Sequence, residues 1–372
     1  MNPFSHQTKT QALCSYLTEL ANKLGPDAKL PTMQQLCESL GVSVVTLNRA
    51  LSELEGQNII QRKHGVGIFV SPRLNQRTIG LVYDRDIFQA GASPFCGLLV
   101  EAARTRAASS SEKFSFYLAI PSKEGFPVHD DLVEDIRARR LHGILFAGEG
   151  NPQAVEWLLR HDVALVAVAY TPIAPWRVKI DWPEFVRLGV ASLAQQGCKK
   201  IGLWIPVGVG LGRTEGEVSF AELDAFRKAL KKESLPFEAA CVWENENMVI
   251  EPVVPHPPMT NQEQGFRAAS EVFGSTASKG ERPDGIVILD DMMTRGAVVA
   301  LGQLGVRPGQ NLKIATHTNR GSTVLMGYEE NLTLMEIDPD EIVQASFAML
   351  ETLMAGSTPP EPTVSIKPKL RQ

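Results

Sequence analysis

The chain has 372 residues, 44% of them apolar and 21% charged, a balance that fits a folded globular protein and excludes a disordered or fibrous one. Five cysteines without a CxxC pair exclude a disulfide scaffold or a cysteine-based zinc site. The polar start MNPFSHQTKT has no apolar signal core, and no apolar run approaches the ~20 residues of a membrane helix, so a reducing cytoplasm is expected. The net charge of −5 is unevenly spread: residues 1–72 hold six Lys/Arg against five Asp/Glu, whereas residues 78–372 hold 29 against 37. In chain order, residues 5–24 read as a helix with Ala12, Leu13, Tyr16, Leu17, Leu20, Ala21 and Leu24 inward, broken by Gly25-Pro26. Thr32 and Gln35 have capping-box spacing, and Met33, Leu36, Cys37 and Leu40 give the helix they open one apolar face, ended by Gly41. Ser43 can cap the next helix, where Leu47, Ala50, Leu51 and Leu54 form a stripe and Val44, Thr46, Asn48, Arg49 and Ser52 face outward. Two short strands around Ile59-Ile60 and 68–70 flank the turn His64-Gly65-Val66-Gly67.

Helix, tight turn, helix with a polar outer face and β-wing together make the geometry that lays a helix in the DNA major groove. LPT, GVS-x-x-T, the RAL-x-x-LE run and the G-x-G-x-FV wing follow in order, and in this the stretch resembles the winged-helix head of GntR-type bacterial regulators. The likeness covers about residues 5–72 and implies DNA contacts from Thr32, Ser43, Val44, Thr46, Asn48, Arg49, Arg62, Lys63, His64, Gly65 and Gly67. The chain departs from that family at Val44 and Val66, where Arg is common; an Arg reads guanine or enters the minor groove, while Val44 can meet a thymine methyl. A head of net +1 attracts DNA only modestly at long range, so local contacts must carry more of the binding.

Residues 73–77 read as a polar linker. Beyond it, strand-like runs at 79–83, 114–120, 143–147, 164–169, 200–205, 285–289 and 312–315 are interleaved with helical stretches. The helices are expected at 95–108, 130–140, 152–161, 184–196, 220–232, 263–273, 292–304 and 340–354. Strand-then-helix repetition means parallel sheets covered on both faces, and the number of units calls for two subdomains sharing a cleft. TIGLVYD, GILFAG, PDGIVILDDMMTRGAVVALGQLGV and PTVSIKPKL are similar to the effector domain of the lactose-repressor family, itself like periplasmic sugar-binding proteins. A GntR-type head on such a body resembles the arabinose-regulator subfamily. The resemblance implies three chain crossings, placed at the Pro and Gly punctuation near 171–177, 318–321 and 358–362. The N-subdomain is then 78–172 with 320–358, and the C-subdomain 175–318 with 362–370.

Asp290-Asp291 ends a strand at the cleft side of an α/β sheet, where ligands bind. By resemblance Asp291 contacts the effector; a helix cap or a catalytic carboxylate pair are the other readings. Phe95 stands where the family sets an aromatic against a sugar ring, or it is a core residue; Asp84 and Arg85 follow the first body strand and line the cleft or are solvated. Glu222 occupies the position of a family Arg that forks onto sugar hydroxyls, and an ionised Glu cannot donate. Arg213 or Arg85 then substitutes for that Arg, or the effector is not held in the usual way, or Glu222 is simply a solvated helix residue. Gly208-Val-Gly210-Leu-Gly212 lacks the spacing of a dinucleotide loop and reads as a cleft loop; PVVPHPP at 252–258 is a stiff loop without an assigned role. No metal spacing and no GxSxG occurs, and no cofactor is expected. The expected protein is a homodimeric cytoplasmic transcription regulator, most simply a repressor, with operator DNA and a small carbohydrate-like effector as partners; a cleft enzyme or a plain sugar-binding protein is the alternative.

Overall fold

The computed structural model describes residues 9–371 except 75, 84–86, 88–92, 110–111, 119–129, 149–151, 162, 170–171, 207–219, 244–258 and 275–281. In the head, α1 (Lys9–Leu24), α2 (Met33–Leu40) and α3 (Val44–Gly56) precede the antiparallel wing strands β1 (Ile60–Lys63) and β2 (Gly67–Val70). The α2 capping box forms as its spacing demands: the Gln35 N–H donates to the Thr32 hydroxyl and the Thr32 N–H donates to Gln35 Oε1. Gly41 then takes the left-handed conformation, φ 61°, that stops α2. Leu47, Ala50, Leu51 and Leu54 are wholly buried against Leu13, Leu17, Leu36 and Ile60. Burying each of these Leu or Ile side chains contributes about 1.5–3 kcal/mol. The expected linker is shorter than 73–77, because Leu74 joins the head core and Arg77 already begins the first body strand.

The body holds two six-stranded sheets. The first comprises β3 (Arg77–Tyr83), β4 (Glu112–Leu118), β5 (Gly143–Ala147), β6 (Ala164–Val168), β7 (Arg177–Ile180) and β13 (Thr363–Ile366), ordered β13-β7-β6-β5-β3-β4 and parallel throughout. Its faces are covered by α4 (Pro94–Ser109) and α11 (Pro339–Met354) on one side and by α5 (Asp130–Arg137) and α6 (Pro152–Leu159) on the other. The second sheet comprises β8 (Ile201–Trp204), β9 (Val242–Trp243), β10 (Gly285–Ile288), β11 (Lys313–Asn319), β12 (Thr333–Ile337) and the antiparallel β14 (Lys369–Leu370), ordered β14-β12-β11-β10-β8-β9. Its helices are α7 (Trp182–Gln195) and α8 (Phe220–Lys232) on one face, α9 (Asn261–Phe273) and α10 (Asp291–Gln303) on the other.

Sheet membership moves all three crossings later than the sequence places them. β7 still belongs to the first sheet, so the first crossing falls at Asp181. β11 and β12 both belong to the second, so residues 320–337 lie in the C-subdomain and the second crossing falls at Asp338. The segment PTVSIKPKL is divided: β13 lies in one sheet, β14 in the other, and Lys367-Pro368 joins them. Asp181 and Asp338 are helix N-caps, accepting from the Glu184 and Asp340 N–H groups.

Candidate functional site

On the head, Ser43 caps α3 by accepting from the Thr46 N–H at 3.2 Å. Val44 and Val45 stand 56% and 79% exposed on its first turn, and Asn48, Arg49 and Ser52 continue the outer face. Beside it, Gly65 and Gly67 adopt φ 70° and 137° in the wing turn, with Val66 exposed at its tip. Lys63 and Lys29 both reach over the Phe69 ring, 4.8 and 5.7 Å from its centre. His64 is exposed in the same turn. The expected contacts on α3 and the wing are thus exposed on neighbouring elements, while Thr32 lies apart as the N-cap of α2. Arg62, one of the expected contacts, lies against α3 here: it pairs with Glu55 at 2.7 Å, donates to the Ser52 hydroxyl at 3.1 Å and lies 3.5 Å from Asn48 Oδ1. The cause is the i,i+7 spacing of Asn48 and Glu55, which puts their side chains, with Ser52 between, on the helix edge facing β1.

In the body, the residues that gather at the carboxyl end of the second sheet come from four elements. Asp290, directly after β10, caps α10 by accepting from the Met293 N–H at 2.7 Å. That settles the helix-cap reading for Asp290 and removes it from a free carboxylate pair. Asp291 is 1% exposed; its Oδ2 accepts a long, 3.4 Å hydrogen bond from Ser322, and its Oδ1 has no partner. The neighbouring Gly321 faces the first sheet's α4: a Cβ there would meet Leu98 Cδ2 at 3.6 Å. Phe95, one helical turn from Leu98, is half-buried against the core of the first subdomain. On β11, His317 Nε2 lies 3.1 Å from Asn319 Oδ1, the ring packs edge-on against Trp182 at 5.5 Å, and Nδ1 is buried without a partner. Asn261 opens α9 with its Oδ1 likewise enclosed.

Burial pushes the Asp290 carboxyl up to about 6, helped by the Asp291 charge and opposed by the Met293 N–H. Burial also pushes Asp291 up to about 6, against the Met292 N–H and the Ser322 hydroxyl. It holds His317 below the ordinary imidazole range, although the Asp290 charge works the other way. His317, Asn261 and Ser322 were not singled out from the sequence; the polar end of β11, Thr-His-Thr-Asn in an otherwise apolar strand, was the available signal. Glu222 is fully buried on α8, so it is not the solvated helix residue considered above. Asp84, Arg85 and Arg213 lie outside the described residues, as do the Gly208–Gly212 and 252–258 loops. Among the described residues no group of three or more His, Cys, Asp or Glu is placed to hold a metal, and no helix is long and apolar enough to cross a membrane.

Residues 20–70 match the bacterial regulatory proteins of the gntR family, and residues 190–372 match a periplasmic binding protein-like domain. A gntR-type regulatory head thus stands on a periplasmic-binding-protein-like body. Over 80 residues the chain is 35% identical to the HTH-type transcriptional repressor NagR of Bacillus subtilis (strain 168), a stretch that covers 21% of this chain and about a third, 33%, of that relative. The fold is similar to a LacI-family regulatory protein from Chloroflexus aggregans, with TM-score 0.61, 18% identity and coverage of 79% of this chain and 96% of that one. It is also similar to the transcriptional regulator CelR in complex with cellobiose, with TM-score 0.60, 16% identity and coverage of 92% and 99%. The lactose repressor bound to the anti-inducer ONPF matches with TM-score 0.60, 17% identity and coverage of 79% and 97%.

Proposed function

We propose that this chain is a one-component transcription regulator, acting as a repressor in the cytoplasm, that binds paired operator half-sites as a homodimer and releases them when a small sugar-like effector occupies the cleft. The observation that carries the reading is the combination in one chain of an exposed α3 face beside a β-wing with a buried, partly unpartnered polar cluster at the carboxyl end of a parallel sheet. Two heads are needed because a single winged helix buries little DNA surface. The repressor role of NagR and the cellobiose bound to CelR support a repressing head and a carbohydrate-sized ligand. Within this reading, residues up to 72 are the DNA-binding unit and the body from 78 onward is the effector unit; Phe95 and Asp291 face the effector, with Glu222, Asp84, Arg85 and Arg213 completing its surroundings. A ligand moves such an equilibrium only by its differential affinity for the open and closed states.

The test begins with selection of DNA from a random pool by the full-length protein. Enriched sequences carrying two related half-sites, bound at a stoichiometry of two chains per duplex, are expected. Fluorescence anisotropy on the selected duplex should then show release by a carbohydrate-type ligand. No enrichment, or turnover of a sugar or nucleotide by the purified protein, would overturn the reading.

A further inference from the structure

The polar atoms left without partners at the carboxyl end of the second sheet are all acceptors. Asp291 Oδ1 and Asn261 Oδ1 are enclosed oxygens. His317 Nδ1 is the third: burial keeps the ring neutral, Nε2 carries the proton toward Asn319 Oδ1, and Nδ1 is left as a lone pair. His317 is 6% and Asp291 1% exposed, so water does not serve either well. Two consecutive carboxylates share the place, Asp290 served by the Met293 N–H and the Asn261 side chain, Asp291 by the Met292 N–H and a long bond from Ser322, with Asp291 Oδ1 left over. Among the described residues no Lys or Arg forms an ion pair with either. Enclosed negative charge that no described Lys or Arg offsets is unfavourable until something supplies positive charge and donors.

Three kinds of ligand group differ sharply here. A phosphate would add negative charge beside two carboxylates. A neutral hydroxyl supplies one donor and brings two lone pairs into a site already rich in them. An ammonium supplies three donors, no acceptor and a positive charge that none of the described residues brings to the pair.

We propose that the effector is a sugar-sized primary amine, bound as its ammonium ion among Asp291, Asn261 and His317, beside the capping carboxylate of Asp290. The proposal rests on the effector reading of the cleft given above and narrows it to a ligand class. It gives Ser322 a part as well: its hydroxyl, now on Asp291 Oδ2, leaves Oδ1 open toward the ligand, while Gly321 beside it faces Leu98 of the other subdomain, which a Cβ there would meet at 3.6 Å. An amine seated on Asp291 therefore acts where the two subdomains meet.

The experiment uses the full-length protein and reads its melting midpoint with matched probes: glucosamine, galactosamine and mannosamine, each against its N-acetyl derivative and the parent hexose, with glucose 6-phosphate, magnesium and calcium alongside. A ligand specific to the folded state raises the midpoint in proportion to its concentration over its dissociation constant. At least one free amine should raise the midpoint, while its N-acetyl and neutral counterparts do not. Asp291→Asn should weaken that amine about tenfold or more. His317→Leu, which keeps the bulk and removes the Nδ1 acceptor, should weaken it too, and it serves if the first variant does not fold. Equal shifts from neutral sugars, shifts from divalent metals alone, no shift from any amine, or undiminished affinity in both variants would overturn the proposal. Operator anisotropy separates this from the regulatory reading. An amine that binds yet leaves operator affinity unchanged counts against the regulator and leaves the cation site standing; a neutral hexose that releases operator does the reverse.

Discussion

Because the head is nearly neutral, single side chains must carry much of its DNA recognition. Arg49 is the basic residue on the outer face of α3, with Leu47 and Leu51 buried behind it. Arg49→Ala should weaken operator binding by roughly 1–3 kcal/mol, the worth of a base contact, without changing effector affinity; anisotropy with and without effector measures both, and an unchanged operator affinity would mean that Arg49 only lies along the helix. Arg62 makes the opposite case. Its guanidinium is engaged with Glu55 and Ser52, both inside the head, yet the pair is 37% exposed on each side. An exposed pair of this sort contributes about 0–1 kcal/mol to stability. Glu55→Gln should therefore leave the melting midpoint almost unmoved, while the released guanidinium adds a phosphate contact: tighter DNA binding whose salt slope steepens by roughly one. A looser complex would show instead that the pair's task is to hold the wing against α3.

At the scale of elements, the sequence made the apolar strands and the helices plain and left the short strands of mixed composition obscure. β5 and β10 are apolar on both faces, GILFA and GIVI, so a continuous run marks them; α8 has a clean amphipathic period and ends where the pattern ends. β7, RVKI, and β12, TLMEI, mix charged or hydroxyl residues into strands only partly covered, and nothing in so short a stretch separates them from loop. Pro and Gly were poor guides to the crossings, since the chain changes sheet where Asp181 and Asp338 cap the incoming helix. The site was legible where one segment carried it, at Asp290-Asp291, and illegible where sheet register gathers Asn261, His317 and Ser322 from separate stretches. The α9–α10 crossing, too, is visible only in three dimensions. A Cβ on Gly296 would meet the Gln262 carbonyl oxygen at 1.9 Å, and one on Gly265 the Met293 oxygen at 1.8 Å, main chain against main chain. Gly296→Ala should cost roughly 2–4 kcal/mol by forcing the helices apart, read as a lower urea midpoint, and it should weaken effector binding because Asn261 and Asp291 open the two displaced helices.

For the whole molecule, the links between units decide what one site can tell another. The chain leaves the head at Leu74, which packs into the head core, and enters the body at β3, where the Thr78 N–H donates to His142 Nδ1 at 3.0 Å and the His142 N–H donates to the Thr78 carbonyl at 2.8 Å. At the second crossing Arg320 bridges Glu336 and Asp338, so the turn that carries Gly321 and Ser322 is held to the start of α11. Asp291 thus lies within reach of the hinge but far along the chain from the winged helix, and its removal should silence the effector without touching the head. Asp291→Asn should keep the wild-type operator affinity, measured by anisotropy without ligand, and lose the ligand-driven release. The same variant has a signature in acid. Burial raises both carboxyls to about 6 in the folded protein, above the ~4 of an unfolded Asp, so the folded state holds their protons longer. The stability they contribute is present in full below pH ~4 and is lost as pH rises through about 6, where the pair becomes charged and enclosed. Unliganded Asp291→Asn should then melt near the wild type at pH 4 and above it at pH 7, the gap opening between the two. A gap that stays constant across that range would mean that Asp291 is charged throughout and already has its counter-charge, and a variant that melts lower at both pH values would make the carboxylate a structural group.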